Sequence, residues 1–134
     1  MSRKIARALG ALQLFVGLGA LPVGLNLVLW PDGSGIGLPL DLLKDSPFPD
    51  FFIPGLVLFA VNGLCNLIAA VITFRRRRRA GVIGIFLGIF LALWILIQAY
   101  LIGWVTWLQP LYLAIGLVEI LLSVRLWPSS ATAK

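Results

Sequence analysis

Glu119 is the residue of this 134-residue chain best placed to do chemistry. The 45 residues from 80 to 124 hold no other charge. A carboxyl inside so apolar a helix costs about 2.5–3.5 kcal/mol to insert into a bilayer, so the default expectation is a functional or strongly paired group. None of the apolar stretches offers it a Lys, Arg or His. Asn62 and Asn66, spaced i, i+4 on one helix face, are the nearest suitable donors. The neutral acid is the cheaper form in such surroundings. Two uses follow. Glu119 is a proton or cation site with Asn62, Asn66 and Tyr112 lining the path, or a neutral clamp joining the second and fourth helices.

Other chemistry has little to work with. The chain has no His and one Cys, which removes disulfide frameworks, His-ligated metals and His-based catalysis. No Ser/His/Asp set, Walker loop or GxGxxG is present, so we expect no enzyme, no metal and no cofactor. Cys65 reads as a small core residue. Asn26, Gln98 and Gln109, with Tyr100, fall toward one end of the helices. They either floor a pocket for a small head group or satisfy helix ends and the tight Gly103–Leu108 turn.

The elements that must position these residues follow from composition. The chain is 60% hydrophobic and 12% charged, with a mean hydropathy of +1.03. A water-soluble domain carries about 25% charged residues. Charges divide the chain into uncharged stretches at 8–31, 51–74 and, Glu119 apart, 80–124. With about 20 residues per span, these predict four transmembrane helices at about 8–29, 51–74, 80–100 and 109–126. Arg3, Lys4 and Arg7 resemble the basic start of a signal peptide. The apolar stretch that follows outruns the usual 7–15 residues, so a true span is expected.

Ten of the eleven cations (Arg3, Lys4, Arg7, Arg75 to Arg79, Arg125 and Lys134) fall on one side of such a bundle. Lys44 and four aspartates fall on the other. The positive-inside rule then predicts cytoplasmic termini, a cytoplasmic arginine loop at 75–79 and two in–out–in hairpins. The expected fold is an all-α integral membrane bundle of four helices, forming one domain.

Helices in lipid associate through close packing and interhelical hydrogen bonds, so small and polar residues mark their inner faces. Such stripes run through Gly10, Gln13, Gly17, Ala20 and Gly24; Asn62, Asn66, Ala69 or Ala70, and Thr73; Gly81, Gly84, Gly88 and Ala92; and Gln109, Tyr112, Gly116, Glu119 and Ser123. A 53-residue shift also superposes Gly63-Leu64-Cys65-Asn66 on Gly116-Leu117-Val118-Glu119, a faint internal repeat. The outer loop at 31–50 is expected to hold a helical turn over Leu38–Lys44 and to pack on the bundle. The run Arg75, Arg76, Arg77, Arg78 and Arg79 serves as a topology anchor or attracts anionic lipid headgroups. There is no soluble domain to shape a nucleic-acid groove, so no nucleic-acid partner is expected.

Ser46-Pro-Phe-Pro-Asp-Phe-Phe-Ile-Pro-Gly55, followed by Val61-Asn-Gly-Leu64, resembles uncharacterised small four-span membrane proteins of bacteria. That resemblance implies a bacterial inner-membrane location and no particular activity. The leading expectation is a helix-packing or accessory subunit that associates with itself or a larger membrane protein. The alternatives are an oligomeric proton- or cation-coupled carrier using Glu119, and an anionic-lipid-binding protein using the arginine loop.

Overall fold

The computed structural model of the chain describes residues 3–132, with side chains described as far as Trp127. Lys134 lies outside the described residues. Four helices dominate: α1 (Arg3–Leu29), α2 (Phe52–Phe74), α3 (Ala80–Ile102) and α4 (Leu108–Thr132). Each contains a segment long and apolar enough to cross a membrane. An α-helix satisfies its backbone groups within the segment, which an apolar surrounding demands.

Three of the four helix starts lie within one residue of the expected positions. The exception is α1, which begins at Arg3 rather than near Ala8. Arg, Lys and Ala are good helix formers, and nothing between Arg3 and Ala8 breaks the run. At the other end, Pro31 and the left-handed Gly33 (φ 82°) stop α1. Gly103 (φ 79°) stops α3 two residues beyond the expected Tyr100. The α2–α3 turn closes through bonds from the Arg76 N–H to Thr73 O and the Arg77 N–H to Ile72 O. One feature had no counterpart in the sequence reading: the middle of α2, Leu58–Cys65, is wound as a π-helix.

The helices pair in two antiparallel hairpins, α1 with α2 and α3 with α4. Further contacts of α1 with α4 and of α2 with α3 close a four-cornered bundle, leaving the α2 and α4 backbones across a diagonal. Nearly all the expected stripe residues are buried, including Gln13, Asn62, Asn66, Thr73, Gln109, Glu119 and Ser123. Large apolar side chains point outward, such as Phe15, Ile68 and Phe86, the last 69% exposed.

Glycine sets the spacing within each hairpin. A Cβ on Gly24 would lie 2.5 Å from the Phe59 backbone nitrogen, and one on Gly88 would lie 3.0 Å from Gly116 O. Neither backbone can yield as a side-chain end does, so helices meet there at a distance that only glycine permits.

The long connection covers one end of the bundle. Leu43 and Phe51 are buried with Leu27, and Leu38, Phe48 and Ile102 pack around them. A 3₁₀ turn over Leu40–Leu43 follows Pro39, as the sequence suggested. The Phe51 N–H donates to Pro31 O at 2.8 Å and ties the two ends of the loop together. Asp50 Oδ1 accepts from the Phe52 N–H as α2 begins. Asp32 Oδ1 likewise accepts from the Ser34 N–H, which holds this exposed carboxyl below its ordinary range. Every arginine of the chain gathers at the opposite, basic end.

Gly24→Leu is expected to destabilise the bundle by about 1–3 kcal/mol through overpacking against α2. Leu18→Val on the outward face should change it by less than about 0.5 kcal/mol. Unfolding in mixed micelles, followed by circular dichroism, compares the two.

Candidate functional site

Thr73 of α2 and Glu119 of α4 meet at Gln13 of α1. This side chain is wholly buried, in the middle of the small-residue face that α1 turns toward its neighbours. Its Oε1 accepts a hydrogen bond from Thr73 Oγ1 of α2 at 2.8 Å. Its amide lies beside the Glu119 carboxyl of α4. The approach stops short of an aligned hydrogen bond, because Gln13 Nε2 and both Glu119 oxygens lack a partner. Gln13 is thus bonded to α2 and lies against the carboxyl of α4.

The other buried polar groups extend this point along the bundle axis. Ser123 lies one turn from Glu119 toward the basic end, facing Gly84, whose missing side chain leaves room for the hydroxyl. Asn66 lies seven residues from Thr73, roughly 10 Å nearer the loop end at 1.5 Å per residue. Asn62 is another turn along, inside the π-helical segment. Asn66 Nδ2 donates to Asn62 O at 3.1 Å, a side chain inserted into the helix's own ladder. π-Segments are frequent at functional sites.

The expected bonds from Asn62 and Asn66 to Glu119 do not form. The physical reason is the diagonal: α1 stands between α2 and α4, and Gln13 takes the place assigned to the asparagines. Asn62 and Asn66 still belong to the same buried column, and Asn66 Oδ1 and both side-chain polar atoms of Asn62 lack partners. Tyr112 belongs elsewhere. Its ring stacks on Phe15, with centroids 6.0 Å apart, and packs against the Val16–Leu91–Ile95 cluster. Cys65, expected in the core, is exposed on the outer face of α2.

The trio expected at the loop end also divides. Gln109 is buried and serves the α3–α4 turn, with Oε1 accepting from the Val105 N–H at 2.7 Å and the Thr106 N–H at 3.2 Å. Its Nε2 donates to Gln98 Oε1 and Gly103 O, so Gln98 and Gln109 satisfy a turn rather than floor a pocket. Asn26 sits apart beneath Gly35 of the loop, its Oδ1 without a partner. Among the described residues, no three His, Cys, Asp or Glu side chains group as metal ligands.

Chemically, the column offers one ionisable carboxyl, one amide oriented by a hydroxyl, and further unpaired amide and hydroxyl groups above and below. Each unpaired buried polar group costs about 1–3 kcal/mol. Native interiors hold few of them, and a concentration of them calls for an explanation. Gln13, Thr73 and Ser123 were legible as packing positions, but sequence reasoning missed them as members of the site. The signal was a polar residue at the centre of a small-residue stripe.

Thr73→Val removes the donor to Gln13 and should cost about 1 kcal/mol. In a double-mutant cycle with Gln13→Leu, the coupling should fall near 0.6 and at most about 1.7 kcal/mol. Zero coupling would show that the bond does not hold α1 to α2. No known protein family, curated protein or solved structure matches this chain.

Proposed function

We propose that this chain is a non-enzymatic integral membrane protein whose bundle interior binds and exchanges a proton at Glu119, acting in an oligomer or beside a larger membrane protein. The observation that carries the reading is the state of Glu119: wholly buried, with neither carboxyl oxygen hydrogen-bonded. A structural clamp would be expected to use those oxygens. A protonatable site has to leave them available. Gln13, held by Thr73, keeps an unpaired amide beside the carboxyl. Ser123 on one side and Asn66 and Asn62 on the other supply groups that can relay a proton toward either end.

Among the described residues Glu119 is the one buried carboxyl, and the species we assign to it is a proton. By the positive-inside rule, the arginine end faces the cytoplasm and the capped end faces outward. The resemblance noted in the sequence makes a bacterial inner membrane the expected location.

Reconstituted into liposomes with an imposed pH gradient, the wild-type protein should dissipate it. Glu119→Gln, which keeps the shape and removes the ionisable group, should abolish that flux without loss of helicity. Equal flux from both proteins would overturn the reading.

A second reading is a packing subunit of a larger membrane complex. It is favoured by the apolar residues that all four helices expose, including Leu18, Ile68, Phe86 and Leu117. Such surfaces suit other membrane helices as well as lipid. Native mass spectrometry of the gently extracted protein distinguishes the two, since a packing subunit should leave the membrane in fixed ratio to a larger protein.

A further inference from the structure

The five consecutive arginines are not equivalent in the folded chain. Arg76, at a left-handed φ of 50°, turns toward α1 and shares a cleft with Arg3, Arg7 and Phe74. Arg78 and Arg79 turn the opposite way. They head a larger cleft of about 630 Å³ on the α3–α4 face, walled by Val82, Ile83, Phe86 and Trp127.

We propose that this second cleft is a binding site for one anionic phospholipid. Its two halves match the two halves of such a molecule. Arg78 and Arg79 present two cations at the level where the helices leave the apolar layer, and the positive end of the α3 dipole begins at Ala80. An arginine fork binds phosphate through paired, charge-assisted hydrogen bonds. Immediately inward, Val82 and the 69%-exposed Phe86 form an apolar trough on the outer surface of α3, where an acyl chain continues from the headgroup. Trp127 closes the α4 side at the depth where indole rings favour the bilayer interface. A free phosphate would use only the upper half of the site. The hairpin fixes the geometry, with the Ala80 N–H donating to Arg77 O and the Ile83 N–H to Arg79 O. The turn that joins α2 to α3 therefore aims Arg78 and Arg79 at the cleft.

The test is native mass spectrometry of the full chain delipidated in detergent and titrated with phosphatidylglycerol or phosphatidylcholine. Wild type should retain one phosphatidylglycerol in clear preference to phosphatidylcholine. Arg78→Gln with Arg79→Gln should weaken that adduct on the order of tenfold. Arg75→Gln with Arg77→Gln removes the same charge from the same loop and should leave it within about twofold. Phe86→Ala, which keeps every cation, should also weaken it. Equal losses from the two arginine pairs would mean that loop charge alone attracts the lipid and would overturn the site. Retention by the Arg78/Arg79 variant, or displacement of the lipid by millimolar inorganic phosphate, would overturn it as well.

Discussion

Close contact between backbones is the constraint on which this bundle depends. Helices exposed to hydrocarbon gain nothing from hiding leucines from one another, because lipid is as apolar as leucine. What remains is dispersion, which falls steeply when surfaces separate by even half an ångström. Gly24 against Phe59 and Gly88 against Gly116 bring the two hairpins into that range. Many bulky side chains are displaced to the outer surface, and small and polar residues share the interior with apolar clusters around Leu9 and Leu126 and around Val16, Leu91 and Ile95.

A polar interior has consequences for chemistry. In a low dielectric each buried donor or acceptor interacts strongly with its neighbours, and each unpaired one is costly. The Thr73–Gln13 bond resolves one such group and orients the amide beside Glu119. Others stay unpaired along the column, with Asn62 in the π-wound part of α2. The basic end adds a second kind of organisation. There a single tight turn sorts one run of like charges into two directions, toward α1 and toward the α3–α4 face.

Much of this was legible in the residues. The number of helices and most of their ends followed from where charges interrupt apolar stretches. The inner faces followed from stripes of small and polar residues, because a 3.6-residue period assigns each position to a face whatever the neighbours are. The packing of the long loop on the bundle was also foreseen from its leucines and prolines. The choice of partners was not. Glu119 and the asparagines fall on inner faces at depths that the sequence could not tell apart, and a pairing between them satisfied every local rule. Gln98 and Gln109 looked equally able to line a pocket or close a turn.

Sequence by itself determined the helices, their buried faces and the gathering of arginines at one end, since length, periodicity and charge are local properties of a chain. Only the tertiary structure decided that α2 and α4 stand diagonally and that Gln13 reaches both. It alone placed Cys65 outward and divided the arginine run between two clefts. Those outcomes depend on the order of helices around the bundle and on the path of short turns. Order and path are set by how glycine faces of different helices fit together, which no single stretch of sequence encodes.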